Sequence, residues 1–110
     1  MGVTKAEKFT APQNELARIA KALGHPARIA IVQHLLKVDN CITGELVEEI
    51  PLAQPTISRH LKELKAVGII HGTIEGTRVN YCIDGRRWRA VQYLLNSLFD
   101  EYVPSRDCPC

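Results

Sequence analysis

Apolar side chains recur along this chain with two different periods, and the change of period divides it into helices and strands. Leu16, Ile19, Ala20 and Leu23 fall at i, i+3, i+4 and i+7, one face of a helix over residues 12–23. Gly24 follows as a residue able to take positive φ, and Pro26 suits the first turn of a second helix over residues 26–38. Ile29, Ala30, Ile31, Val32, Leu35 and Leu36 cover so much of its surface that it reads as the central core helix, ended by Asp39 and Asn40. Thr43 can cap a short third helix with apolar positions Leu46, Val47 and Ile50, stopped by Pro51. Pro55 opens a fourth, with Ile57, Leu61 and Leu64 on one side and Gly68 at its end. Residues 69–74 and 78–83 then run apolar or alternate at strand length about the turn Glu75-Gly76-Thr77. Asp84 can cap a last helix over residues 86–102 carrying Trp88, Val91, Leu94, Leu95, Leu98 and Phe99. Residues 1–11 and 104–110 hold no sustained period, so a flexible arm and tail are expected around one domain over residues 12–103.

The expected fold is mainly α with a small β-hairpin: five helices and a two-stranded wing, a winged helix-turn-helix. Such a unit holds one helix out to enter a DNA major groove. The fourth helix has the faces this requires. With Ile57 at zero and about 100° per residue, Leu61 lies at about 40° and Leu64 at about −20°. Arg59 then falls at about 200° and Lys62 at about 140°, opposite that seam, with Thr56 and Ser58 on the flanks. Arg can pair with guanine, and Ser and Thr can serve base edges or phosphates. Gln54 and the first N–H groups of this helix stand where a phosphate can be met. Arg78, beside the turn, can reach phosphates or the minor groove. His60 lies at about −60°, next to the seam, and reads as half-buried and structural.

Charge sharpens this picture. The net charge is only +2, but residues 54–89 hold seven Lys and Arg against three Asp and Glu, a basic region suited to a polyanion. With 110 residues, 45% apolar and 5% aromatic, the chain can bury one modest aliphatic core, which a second subunit would extend. The last helix carries apolar residues on more than one face, more than a small monomer needs to hide, so a homodimer is expected. No apolar run reaches membrane-spanning length and no charged-then-apolar leader is present; the expectation is a cytoplasmic protein without a membrane partner. Cys41, Cys82, Cys108 and Cys110 are spread through helix-rich sequence, unlike a secreted disulfide framework. No nucleophile–base pair, phosphate-binding glycine loop or helical carboxylate pair stands out, and the four histidines sit singly, so no enzyme is expected.

The runs KALGHPARIAIVQHLL, GELVEEIPLAQPTISRHLKELKAVGII and GTRVNYCID closely resemble the ArsR/SmtB family of bacterial winged-helix repressors. The resemblance spans residues 16–102, and its distinctive parts are Leu23 to Arg28 and Gln54 to Leu61. It implies a homodimer through the first and last helices, bound to double-stranded DNA at an inverted-repeat operator and released by an inducer, often a metal or metalloid ion. It also implies that Gln54, Thr56, Ser58 and Arg59 contact DNA, residues the helical angles had largely selected.

The inducer is less legible. The family's metal sites on the last helix use Asp, His and Glu, and this helix has no histidine. The family's arsenic motif, Cys-x-Cys-x-x-Cys on the third helix, would fall on Ile42, Gly44 and Val47, which carry no thiols. Cys41 stands just before that helix, and Cys108 and Cys110 form a Cys-Pro-Cys pair in the tail. Three thiolates suit arsenite or antimonite, As(III) or Sb(III), or a soft metal ion as inducer; no cofactor is otherwise required. The stretch from Tyr102 to Cys108 can span about 20 Å, enough to bring the tail to Cys41 of either subunit. Thiol redox or persulfide sensing, served by a Cys41–Cys108 disulfide, is the alternative, as is a protein-interaction module without cysteine sensing. Cys82, on the second wing strand, reads as a packing residue.

Overall fold

The computed structural model describes residues 6–38, 41–44, 50–75 and 78–104. Helix α1 (Ala11–Leu23) begins where Thr10 and Gln13 close a reciprocal cap: Gln13 N–H donates to Thr10 Oγ1 at 3.2 Å and Thr10 N–H to Gln13 Oε1 at 3.0 Å. Gly24 does not use a positive φ; it sits at −82°, and His25 turns extended instead, as a residue before proline prefers. His25 Nδ1 then accepts from Ala27 N–H at 3.0 Å, capping α2 (Pro26–Lys37).

The sheet departs from the expected two-stranded wing. Strand β1 (Cys41–Gly44) joins β2 (Ile70–Glu75) and β3 (Arg78–Ile83) in an antiparallel order β1-β3-β2. Thr43 lies within this strand opposite Asn80, and its hydroxyl lies 3.5 Å from Asn80 Oδ1. Residues 45–49, the body of the expected third helix, and the turn at 76–77 lie outside the described residues. Among the described residues the α-helices number four rather than five, α3 (Gln54–Ala66) and α4 (Gly85–Phe99) being the others. A β-branched residue such as Thr43 suits a strand, and the partner that pairs with it lies about 40 residues on.

The Cys41–Cys82 pair corrects a second expectation. These residues face each other across β1 and β3 with Cα atoms 4.0 Å apart, and their sulfurs form a disulfide. Cys82 is a bonding partner rather than mere packing. With a sequence separation of 41, the crosslink removes about 4 kcal/mol of loop-closure entropy from the unfolded chain.

The core lies where α1, α2, α3 and the sheet converge, centred on Ile19, Ile31, Leu35, Ile57, Leu61, Leu64, Ile69 and Tyr81. Two glycines shape what surrounds it. Gly68, at φ +83°, closes α3: its N–H donates to Lys65 O at 2.9 Å and the Ile69 N–H to Leu64 O at 3.2 Å, with Leu64 and Ile69 both buried. Gly72, at φ +138°, lies opposite Tyr81, where an added Cβ would run into Asn80 O and Tyr81 Cα. Gly72→Ala should cost about 2 kcal/mol or more, from backbone strain and overlap with the neighbouring strand. Urea unfolding of the variant beside the parent measures it.

Candidate nucleic-acid interface

Helix α3 is the outward-held element, and its two faces are chemically opposed. Ile57, Leu61 and Leu64 are fully buried, whereas Arg59 and Lys62 are exposed and Thr56 and Ser58 half-buried on the flanks. The helical angles read from sequence thus match the burial. Gln54 Nε2 donates to Ser58 Oγ at 2.7 Å, so these two expected DNA contacts form one unit on the first turn. Ala53 precedes the helix without a side-chain cap. Arg78 enters β3 opposite Glu75. Arg59, Lys62, Ser58 and Thr56 thus share α3, while Arg78 belongs to the wing.

Three ties fix α3 to the rest of the molecule, and none was foreseen from sequence. Arg28 lies at the centre of the first. Its Nη1 donates to Lys21 O at 3.3 Å and Ala22 O at 3.1 Å, carbonyls in the last turn of α1, while its Nε donates to His60 Nδ1 at 3.0 Å. His60 is buried, not half-buried, and packs against the His25 ring with centroids 4.4 Å apart. Burial, followed by the charges of His25, Arg28 and Arg59, holds its pKa below the usual imidazole value, against the weaker upward pull of Glu63. Neutral His60 keeps its proton on Nε2 and accepts from Arg28 on Nδ1.

The second tie holds the far end of α3. Arg87 Nε donates to Val67 O at 2.9 Å and Arg18 Nη1 to Ala66 O at 3.2 Å. Both guanidiniums also engage Glu15, Arg87 through Nη2 and Arg18 through Nε, so α1 and α4 jointly grip the end of the helix. The Arg87 hydrogen bond, then that of Arg18, lowers the Glu15 pKa. The third tie runs to the wing, where Lys65 Nζ donates to Gly72 O at 2.6 Å.

Of the expected ion ligands, Cys41 is exposed at the first position of β1 with its sulfur bonded to Cys82, and Cys108 and Cys110 lie outside the described residues. Among the described residues no three Cys, His, Asp or Glu side chains gather closely enough to hold a metal ion. No helix there is long and apolar enough to cross a membrane.

The His60 tie carries a pH signature. Because its folded pKa is depressed, the unfolded chain takes up the proton first on acidification. The tie's contribution is therefore complete above about pH 6.5 and is lost as pH falls through the lower, folded value. His60→Gln, which can still accept from Arg28 but cannot titrate, should flatten stability across that window; urea midpoints from about pH 8 to about pH 5 compare the two. Arg87→Ala, which frees the Val67 carbonyl and one side of Glu15, should cost about 1–3 kcal/mol in the same assay.

Comparison with known proteins agrees with this geometry. The profile of the family described as "Bacterial regulatory protein, arsR family" matches residues 25–71, which include α2 and α3. The transcriptional repressor SmtB of Mycobacterium tuberculosis is 43% identical over 63 residues, 57% of this chain and 46% of that protein. The chain thus spans about half the length of this relative. The regulator CmtR of the same organism is 31% identical over 99 residues, covering 89% of this chain and 80% of CmtR. An ArsR-like regulator from Rhodococcus sp. RHA1 shares the fold, with a TM-score of 0.65 at 22% identity over 84% of this chain and 86% of its own. These relatives are transcriptional regulators and not enzymes. The chain belongs to the ArsR/SmtB family of winged helix-turn-helix transcriptional regulators.

Proposed function

We propose that this protein is a dimeric transcriptional repressor that reads an inverted-repeat operator with α3 and leaves it when a thiophilic ion binds. The observation that carries the DNA reading is the division of α3 itself. Its inner face is completely buried, so its outward face is held rigid, and that face presents Arg59, Lys62 and the Gln54–Ser58 unit. Arg59 is the base reader, Lys62 a phosphate contact, and Arg78 a wing contact to phosphate or the minor groove. A protein-interaction module would have little use for a one-sided cationic face, since protein interfaces are depleted in lysine.

Dimerisation is supported by α4. Only Val91 of that helix is buried, while Tyr93, Leu98 and Phe99 stay exposed at 72%, 48% and 63%. Leu23 of α1 and Trp88, Val91, Leu95 and Phe99 of α4 border an apolar groove of about 240 Å³. A second copy packed there through α1 and α4 would hide this surface, and its two-fold axis would set the reading helices about 34 Å apart.

The inducer reading rests on sulfur. The solved structure of CMTR from Mycobacterium tuberculosis, titled a cadmium metal-sensor, is 32% identical and has a TM-score of 0.51 over 86% of this chain and 95% of its own. Arsenite, antimonite or a soft metal ion would be held here by Cys41, Cys108 and Cys110. Cys41 is an exposed residue on β1, so its sulfur suits such an ion once the bond to Cys82 is opened.

Fluorescence anisotropy with operator DNA tests the proposal. Arg59→Ala should weaken specific binding by about 1–3 kcal/mol, roughly 5- to 150-fold. Lys62→Ala should weaken all sequences alike and reduce the salt slope by about 1. Cadmium or arsenite added under reducing conditions should release the DNA, and changing Cys108 and Cys110 to Ser should abolish the release. Binding that ignores Arg59 and salt would overturn the DNA reading; release that survives the double change would remove the tail from the sensor.

A further inference from the structure

We propose that Cys41 and Cys82 form a reversible redox site, in which oxidation by a hydroperoxide locks β1 to the wing and reduction by a dithiol releases it. The inference rests on the DNA-binding reading in one respect. A protein that acts on DNA works where thiols are kept reduced, and a disulfide formed there is usually transient and redox-sensing. The geometry supplies the rest. The two residues occupy the same register position on adjacent antiparallel strands, so the backbone holds their sulfurs within bonding reach without rearrangement. They are also unequal: Cys41 is exposed on the four-residue edge strand, and Cys82 is half-buried on the central strand.

That inequality assigns the steps. The Cys41 thiolate attacks one peroxide oxygen, the O–O bond breaks, and the released alkoxide or hydroxide takes a proton. Cys41 is left as a sulfenic acid. The Cys82 thiolate then attacks the Cys41 sulfur, forming the S–S bond and expelling hydroxide, which is protonated to water. Two thiols and one hydroperoxide thereby give one disulfide, one alcohol (water, from hydrogen peroxide) and one water. A small dithiol reverses the change by exchange and is itself oxidised.

The covalent loop closed by this bond contains all of α3, together with β2 and most of β3. In the reduced chain β1 is held by backbone pairing to β3 and by half-buried Ile42 against the core, so a short edge strand is left free to fray. Oxidation fixes the approach to α3 against the wing before DNA arrives, and less ordering then remains to be done on binding.

The test uses the full chain with Cys108→Ser and Cys110→Ser, which leaves Cys41 and Cys82 as its only thiols. After reduction with dithiothreitol, hydrogen peroxide should lower the intact mass by about 2 Da, the two thiol hydrogens, and dithiothreitol should restore it without denaturant. Amide exchange over residues 42–44 should slow on oxidation, and operator affinity should rise at least threefold. Cys82→Ser should show neither change. A gain of oxygen in place of the 2 Da loss, a disulfide that resists dithiothreitol in the folded protein, or unchanged exchange overturns the proposal. So does equal operator affinity in the two states. If neither state binds DNA, the operator-binding reading fails, while mass and exchange still decide the redox site.

Discussion

The guanidinium of Arg28 is the hinge on which the arrangement of helices depends. It reaches two carbonyls in the last turn of α1 with one nitrogen and the buried His60 of α3 with another. A charged group in that position is tolerable only because each partner is an acceptor: two backbone oxygens and an unprotonated imidazole nitrogen. Burial of His60 keeps its ring neutral, and a neutral ring is what lets it accept. The exposed residues of α3 inherit their direction from this bond, because His60 immediately follows Arg59 and shares its turn of helix.

Much of this fold was legible in the chain because its helix boundaries are written locally. Prolines at 12, 26 and 55 and the Asp84 cap, whose carboxylate accepts from Arg87 N–H at 3.0 Å, set the helix starts within a residue or so of expectation. The inner face of α3 followed from 3.6-residue periodicity alone. Strand β1 did not, because four residues carry too little pattern to declare a strand, and the pairing that stabilises them comes from Val79 to Cys82. Cys82 was misread for the same reason, since its partner is fixed by cross-strand register rather than by spacing along the chain.

The ties that orient α3 were illegible for a different reason. Arg18, Arg28 and Arg87 all donate to backbone carbonyls, and a carbonyl leaves no mark on the sequence that names its donor. The Leu23 to Arg28 run marked family resemblance before any role for Arg28 was apparent. In the folded chain that run is a sequence of local tasks: Leu23 ends α1, His25 caps α2, Pro26 starts it, and Arg28 crosses to α3.

The Lys65–Gly72 bond changes how the basic region is to be counted. Lys65 donates one ammonium proton to a wing carbonyl, and Arg87 is occupied by Val67 O and Glu15. Two of the seven cations between residues 54 and 89 thus have their directions fixed inside the molecule, and one of them, Arg87, has its charge offset by Glu15. Neither cation can turn to an outside anion without giving up its internal bond. Under the proposed DNA reading, more of the contact then falls to Arg59 and Lys62 on the exposed face of α3.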